Sequence, residues 1–420
     1  MAGMRSSDKR HRMDEGDLGR WRLVDEFSRR IAAACDKVGV RGSFADRKRE
    51  LEVEEYLGLF LFGLLNPVVR TMRGLCAASH LGRVRREVCG RPVSLGSFSE
   101  AQAVLDPALL QEVFAQLAAE VGNPPALEGT GAKAAPNTTN TTNTTNATQS
   151  KDLHSWMIVD STLWEALPRM RWALWRNQGG EQTAVRLHLA LHVVDDKPLK
   201  ATVSTGRMCE RQAWQAQWKS GDAYVGDRYF GGDYKLFGKL EEKGCSYVLR
   251  LRNDTVMEIE EELPLQEEDR QARVLRQAWA HLGCKSRYRS VRVRLVWVQT
   301  PKEVLLLVTN QCPTQMSAAL VAQLYHKRWQ AELFFRWIKC ILGCRHWLAE
   351  SPKGVAIQVY LALIAALLLQ LHSQRRPTRR MLELIQFHLM GMASATELEE
   401  GLQRELLALE RAASKKRQSL

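Results

Sequence analysis

A polar segment of low complexity divides this chain and limits how it can fold. From Gly122 to Ser150 the sequence is mostly Pro, Gly, Ala, Asn and Thr, and the near-repeat NTTNTTNTTNAT begins at Asn137. Such a segment has almost no apolar surface to bury, so it cannot form a core. We therefore expect a flexible linker over residues 126–150, with separately folded regions on either side of it.

The part of the chain before the linker has helical periodicity. Apolar residues recur every three to four positions over 51–69 and 101–121, as on the buried face of a helix. We expect a helical N-terminal domain over residues 1–125. Because four arginines lie between residues 73 and 86, this domain is a candidate for DNA contact, although a solvated charged surface explains them equally well.

The end of the chain is also predicted to be helical. Residues 353–372 are nearly all apolar. The most apolar run, residues 355–371, is short for a membrane span of about 20 residues and contains Gln358 and Gln370, which favours a buried helix. An amphipathic pattern over 396–412 follows. We expect a helical C-terminal region over residues 351–420, with dimerisation as a reasonable role for its last helix.

Strand-like sequence begins directly after the linker. Strands are predicted over 155–160, 184–194, 198–205 and 223–225, and helices over 211–219 and 234–243. Three strands, a helix, a strand and a helix are typical of an α/β protein with a ribonuclease-H-like fold, although other α/β folds share this order. Further strand-rich sequence follows, so we expect one α/β domain over 151–350 that carries a β-rich insertion at about 246–310.

The charge of the chain is basic and unevenly distributed. The formal charge is +13 and the pI is about 9.4, and residues 151–420 hold 40 of the 60 basic side chains against 29 of the 47 acidic ones. In KSRYRSVRVR, residues 285–294, basic side chains alternate with other types, which predicts charge on exposed strand faces. A nucleic acid is the commonest partner of such a protein, but many proteins are mildly basic without one.

The cysteines indicate a reducing compartment. There are nine, an odd number, and no C-x-x-C pair occurs, which argues against a disulfide framework. The first residues are charged and lack the apolar stretch of a secretory signal. We expect a cytoplasmic protein.

Four side chains with related chemistry share one face of a predicted helix over 317–342. Tyr325, Arg328, Glu332 and Lys339 fall within about 60° of the helix circumference at 100° per residue. A carboxylate flanked by cations suits a site where a metal ion and phosphates meet. An ordinary surface pair between Arg328 and Glu332 explains the same spacing equally well.

In identity and spacing these four residues resemble the Tyr-Arg-Glu-Lys signature of the DDE transposases of bacterial insertion sequences. Two further motifs resemble those of the same family in the same order: IVDST, which contains Asp160, and GDRYF, which contains Asp227. The resemblance covers roughly residues 155–345. It departs from the family where Tyr229 stands in place of the glycine that commonly follows the arginine.

The resemblance implies that Asp160, Asp227 and Glu332 are the catalytic residues and hold two Mg²⁺ or Mn²⁺ ions. Three converging carboxylates repel one another unless cations neutralise them, and hard divalent ions prefer oxygen ligands. Two such ions can activate a water molecule or a 3′-hydroxyl and stabilise the leaving oxygen at phosphorus. Taken one at a time, each aspartate could equally begin a turn or cap a helix.

The resemblance also implies how this site would hold DNA. Arg328 and Lys339 would bind phosphates at the transposon end, and Tyr325 would position a phosphate or sugar. Related transposases can hold a flipped-out base on an aromatic residue of the insertion, and Trp297 is the candidate by position. A tryptophan in a strand is more often part of the core.

The function implied is that of a DNA transposase of the cut-and-paste type, which cleaves DNA at transposon ends in a metal-dependent reaction and transfers the strand into target DNA. Its partners would be the transposon ends and the target duplex, bound by a homodimer without a membrane, and it would work at the bacterial nucleoid. Two alternatives stay open. One is a domesticated or inactive relative that only binds DNA, and the other is a ribonuclease-H-like nuclease that only hydrolyses.

Overall fold

A computed structural model of the chain describes residues 22–38, 51–120, 153–177, 180–284, 288–340, 347–373 and 377–418. The chain divides into two compact units, one made of residues 1–114 with 340–420 and the other of residues 115–339. The predicted linker over 126–150 lies outside the described residues. The predicted domain bounds stay a prediction.

The first unit is built from helices that come from both ends of the chain. Its described helices are Arg22–Val38, Val53–Leu65, Met72–Ser79, Gly82–Val84, Leu95–Val104, the start of Ala108–Glu120, Pro352–Ser373, Arg379–Leu389 and Ala395–Gln418, with a π-helical turn at Arg85–Cys89. The helix predicted over 101–121 is interrupted. The first part ends before Pro107, which disfavours a helical conformation at the residue preceding it.

The apolar helix near the C-terminus is a core helix of this unit. By length and composition the stretch Pro352–Leu371 is apolar enough to cross a membrane, but 89% of its apolar window is buried inside the structure. Val355, Leu361 and Ile364 are fully shielded from solvent. A helix that is apolar on all sides and packed on all sides is typical of a protein core.

The second unit contains all the described strands. These are β1 (Trp156–Glu165), β2 (Leu174–Asn177), β3 (Gly180–His192), β4 (Pro198–Thr205), β5 (Ala223–Gly226), β6 (Ser246–Arg250), β7 (Met257–Leu263), β8 (Val274–Cys284), β9 (Tyr288–Arg289), β10 (Val293–Gln299) and β11 (Val304–Thr309). Its helices are α1 (Glu210–Gln215), α2 (Arg228–Gly231), α3 (Lys235–Glu242), α4 (Glu267–Gln271), α5 (Ala318–His326) and α6 (Trp329–Cys340). Short 3₁₀ turns lie at Leu153–Ser155 and Arg171–Ala173.

The first strands of this unit form a mixed sheet in the order β4-β3-β1-β5-β6. The pairs β4–β3 and β3–β1 are antiparallel, whereas β1–β5 and β5–β6 are parallel. This arrangement is that of a ribonuclease-H-like fold, so the predicted fold class is confirmed. The predicted start of the insertion at about 246 falls on β6, which completes the parallel set.

The inserted strands extend the same sheet. From β6 the order continues through β11, β10 and β8 to β7, which is the edge strand, and each of these pairs is antiparallel. β9 pairs with β8, and β2 pairs with β3. The insertion is therefore β-rich, as predicted.

Aromatic side chains pack the helices α1 to α3 against β5 and β6. The ring of Phe237 stacks on that of Tyr247 with the centroids 5.3 Å apart. Trp214 meets Tyr224 and Phe230 edge-on at 5.3 and 5.1 Å. These rings are buried, and buried aromatic pairs combine a large apolar area with a preferred geometry. These rings pack around the end of β5, directly before Asp227.

The single helix predicted over 317–342 is instead two helices, α5 and α6, separated at Lys327 and Arg328. At the junction the backbone bonds tighten: Gln330 N–H donates to Lys327 O at 2.9 Å, and Ala331 N–H donates to Arg328 O at 3.1 Å. The prediction of one continuous helix was wrong. Apolar residues keep the same spacing on both sides of the junction, so the periodicity gives no sign of the break.

Candidate active site

Asp160 lies in β1, and Asp227 directly follows β5, the neighbouring parallel strand. The last paired residues of β1 and β5 are Ile158 and Val225, and each aspartate comes two residues later in its own strand direction. Neighbouring strands are about 4.8 Å apart, so the two residues reach the same level of the sheet. The motifs identified in the sequence are thus brought together by the strand register.

Asp227 also begins a helix. Its Oδ1 accepts a hydrogen bond from Tyr229 N–H at 2.9 Å, and it is the N-cap of α2. The glycine at the end of this short helix permits a close approach, because a Cβ at Gly231 would overlap the carbonyl oxygen of Arg250 at the end of β6. Asp227 is therefore held by both its strand and its helix.

Arg328 links Asp160 to Glu332. Its guanidinium lies 3.5 Å from Oδ2 of Asp160 and donates to Oε1 of Glu332 at 2.8 Å. The break between α5 and α6 lies at this arginine, and Glu332 follows in the first turn of α6. Arg328 therefore does more than form a surface pair with Glu332, because its guanidinium also contacts Asp160, which lies 168 positions earlier in the sequence.

Burial raises the pKa of the Asp160 carboxyl to about 7. The backbone N–H of Ser161, which donates to Oδ1 at 2.7 Å, and the charge of Arg328 lower the pKa, whereas the charges of Asp227 and Glu210 raise it. A cation close to this carboxyl group would therefore favour its ionised form.

Glu210 and Arg186 are neighbours of the site that the sequence did not reveal. The guanidinium of Arg186, on β3, donates to the hydroxyl of Ser161 at 3.0 Å and forms an ion pair with Glu210, at the start of α1. This pair supports β1 directly after Asp160. In the sequence, neither residue belongs to a motif, and only the pairing of β1 with β3 brings them to Asp160.

Tyr325 is buried beside the acidic residues. Burial raises the pKa of its hydroxyl, while the charges of Arg328 and Arg250 and a hydrogen bond from Arg250 lower it. The charge of Asp227 also acts on it and raises the pKa. Tyr325 thus lies within electrostatic reach of Asp227, and its predicted role in positioning a phosphate or sugar stays a prediction.

Lys339 contacts the far end of β1. Its ammonium donates to the carbonyl oxygen of Leu163 at 2.7 Å and lies 5.6 Å from the centre of the Trp164 ring. These contacts fasten α6 to β1 three residues beyond Asp160. Its predicted role in binding phosphate stays a prediction.

Trp297 lies in a different part of the sheet. It belongs to β10, three strands beyond β5, which is about 14 Å across a sheet. It is half-buried against the core, and the guanidinium of Arg276 lies 4.7 Å from the centre of its ring. Arg276 in turn donates to Glu262 at 2.9 Å. The base-holding role stays a prediction.

The prediction that the basic alternation at 285–294 exposes its charge was wrong for Arg294. This residue is fully buried, and its guanidinium donates to Gln277 Oε1 and, at 2.6 Å, to the carbonyl oxygen of Met316. Burial lowers the pKa of Arg294 to about 10. Alternation alone does not reveal that α5 covers this part of β10. Lys285 and Arg287 lie outside the described residues.

The carboxylates suit a hard divalent cation by their chemistry. Among the described residues no three His, Cys, Asp or Glu side chains are grouped to hold one ion. The donors are nevertheless oxygen ligands of the kind that Mg²⁺ and Mn²⁺ prefer. A cationic group, the guanidinium of Arg328, already lies between Asp160 and Glu332. The site is therefore one that favours positive charge.

Comparison with known proteins gives a family match over about half of the chain. The family model described as a transposase DDE domain matches residues 152–368. A relative from Sinorhizobium fredii that is named as a transposase is 25% identical over 219 residues, which cover 51% of this chain and 60% of the relative. A relative from Geobacillus stearothermophilus, named as a transposase for an insertion sequence element, is 26% identical over 216 residues, or 51% of this chain and 55% of the relative. The chain thus spans somewhat more than half the length of these relatives.

Among solved structures, the chain is similar to one in a cryo-electron microscopy structure of the piggyBac transposase synaptic complex with hairpin DNA. The TM-score is 0.39 and the sequence identity 9%, over 92% of this chain and 79% of that chain.

Proposed function

Because this chain belongs to the transposase DDE domain family, we propose that it is a DNA transposase, which cleaves DNA at transposon ends and transfers the strand into target DNA. The observation that carries the proposal is the placement of the three acids. Asp160 in β1 and Asp227 directly after β5 each come two residues after the last pair of these parallel strands, and Arg328 links Asp160 to Glu332.

Asp160, Asp227 and Glu332 would together hold two Mg²⁺ or Mn²⁺ ions. Bound there, the ions would activate a water molecule or 3′-hydroxyl and stabilise the leaving oxygen at phosphorus. The surroundings of Asp160 support this proposal, because burial and the charges of Asp227 and Glu210 raise the pKa of its carboxyl, and a bound cation would favour the ionised form.

The cationic and aromatic residues would bind DNA around the acids. Arg328 would exchange its carboxylate partners for a phosphate of the transposon end, and Lys339 would hold another. Tyr325, buried beside Asp227, would fix the sugar or phosphate between them. Trp297 would hold a base that leaves the stack.

The proposed partners are the transposon ends and the target duplex. Two copies of the chain would act together as a homodimer on DNA in the bacterial cytoplasm, at the nucleoid and without a membrane. Within each copy the α/β domain would cleave, the helical N-terminal domain would contact DNA, and the C-terminal helices would join the copies.

The test is cleavage of linear DNA that carries the sequences flanking the coding region, with Mg²⁺ or Mn²⁺. We expect the wild-type chain to cut at the boundary of the element. Glu332→Gln keeps the size of the side chain but removes its charge, and we expect cleavage to fall at least about 100-fold while DNA binding survives.

The matched control is Glu242→Gln, which removes an exposed carboxylate from α3 and should cut normally. Supplying a second duplex separates a transposase from a nuclease, since only a transposase joins the new 3′-OH end to it. Equal cutting by wild type and Glu332→Gln, or no cutting by either, would contradict the proposal.

A further inference from the structure

In the insertion, two exposed arginines form ion pairs with glutamates of the edge strand β7. On one face of the sheet, Arg289 lies 3.2 Å from Glu258, and Arg292 bonds to both Glu260 and Glu261 at 2.9 Å. The strand register places Glu258 and Glu261 opposite residues of β8 on the same face. We call Arg289 and Arg292 the insert arginines, and Glu258, Glu260 and Glu261 the β7 glutamates.

These ion pairs are not what holds β7 in the sheet. The strand is paired with β8 from Met257 to Leu263 by backbone hydrogen bonds. The side chains involved are 37% to 57% exposed, and ion pairs at such exposure are screened and contribute little stability. A competing anion can therefore replace the carboxylates without unfolding the strand.

The face suits the sugar–phosphate backbone of DNA. The guanidinium of Arg292 lies 4.4 Å from the centre of the Trp279 ring, which holds its plane and leaves its N–H groups to bond anions. A guanidinium binds phosphate through two parallel hydrogen bonds as readily as it binds a carboxylate. Nε2 of His281 lies 3.7 Å from Glu260 on the same face.

We propose that the β7 glutamates occupy, in the free protein, the positions that DNA phosphates take on the insert arginines, so that DNA must displace these carboxylates from the arginines to bind this face. The inference rests on the proposed function in taking DNA as the partner. It adds a DNA-binding surface in the insertion and a device that weakens binding to arbitrary DNA.

The test compares binding of random-sequence duplex DNA over a range of salt concentrations, without divalent ions. Glu258→Gln/Glu260→Gln/Glu261→Gln frees the insert arginines. We expect affinity to rise on the order of tenfold at low salt. The slope of log K against log salt should steepen by about 0.9 for each freed arginine, or about 1.8 in all.

The matched control removes three exposed carboxylates elsewhere, as Glu242→Gln/Glu268→Gln/Glu400→Gln. It loses the same net charge, so it measures the general electrostatic effect. A second control repeats the β7 substitutions in an Arg289→Gln/Arg292→Gln background, where we expect the gain to fall to that of the control triple.

Charged side chains on an edge strand also block pairing with other chains, and that role requires no arginine partners. A gain equal to that of the control triple, or one that survives loss of the insert arginines, would therefore overturn the proposal. If the triple variant does not fold, a double-mutant cycle replaces it. DNA binding is then compared for the wild type, Glu258→Gln, Arg289→Gln and the double variant, and the proposal requires that Glu258→Gln raise the affinity only when Arg289 is present. Failure of the wild-type chain to bind duplex DNA at any salt concentration would count against the proposed function as well.

Discussion

Asp160 lies where burial opposes its charge. Its pKa in the folded chain is about 7, against an ordinary value of 3.8, because the loss of water outweighs the help from Ser161 and Arg328. The folded state therefore holds this proton more tightly than the unfolded state does. The stabilisation from the raised pKa is complete below about pH 4 and is lost as the pH rises through about 7.

We predict that Asp160→Asn stabilises the chain in the absence of divalent ions. Asparagine has no charge to desolvate, so the free energy of unfolding at pH 8 should increase by about 2 kcal/mol, with little change at pH 4. Urea unfolding at the two pH values measures the difference. Asp254→Asn, at an exposed site, is the control and should change neither value much. A variant less stable than wild type at pH 8 would contradict the raised pKa.

At the residue scale, the sequence predicted the three acids but not the tertiary contacts that act on the charge of Asp160. Asp160, Asp227 and Glu332 stand in motifs with recognisable spacing, and the strand register places the aspartates together. The contacts of Asp160 with Arg328 and its electrostatic coupling to Glu210 depend on tertiary structure. No local pattern records them, because these residues approach only when the sheet and the helices have formed.

At the scale of elements, the strands β1, β3, β4 and β5 and the helices Pro352–Ser373 and Ala395–Gln418 were predicted, whereas the helix predicted over 101–121 is two helices. The short pieces were missed: α2 has four residues and β2 has four. The helix break at Lys327 was missed as well, since the residues on both sides have the same apolar period. The helix break coincides with a tertiary contact, because the guanidinium of Arg328 lies 3.5 Å from the carboxylate of Asp160.

The contact between α2 and β6 is tight enough to test. We predict that Gly231→Ala destabilises the chain by about 1–3 kcal/mol, because the new methyl group overlaps the Arg250 carbonyl and pushes α2 away. Asp227 caps this helix, so metal binding should weaken too. Thermal unfolding and Mn²⁺ titration by calorimetry measure the two effects.

Gly238→Ala provides the matched control in the next helix, α3. A Cβ there meets only Val291, at 3.4 Å, and alanine favours helix over glycine, so this variant should be neutral or slightly more stable. Equal behaviour of the two variants would mean that the close approach at Gly231 is not a constraint.

At the scale of the whole molecule, one of the two structural units is made of segments that are far apart in the sequence. The helical unit combines residues 1–114 with 340–420, so its two halves are separated by the entire α/β unit. Periodicity predicted helices at both ends of the chain but not their association. A pattern of apolar positions shows which face of a helix is buried, but it does not show which other helix packs against that face. Phe114 and Tyr360 illustrate the result, with their rings packed edge-on 6.1 Å apart.

The consequence is a prediction about fragments. Residues 1–125 alone should not unfold cooperatively, because Val53–Leu65 packs against the buried helix Pro352–Ser373 and would leave its apolar surface in water. Adding residues 351–420 as a second chain should restore a cooperative transition in circular dichroism. The fragment 151–350, which holds the whole sheet, serves as the control and should melt cooperatively by itself. Cooperative melting of 1–125 on its own would show that the N-terminal helices form an independent domain and that Pro352–Ser373 only adds to a core already complete.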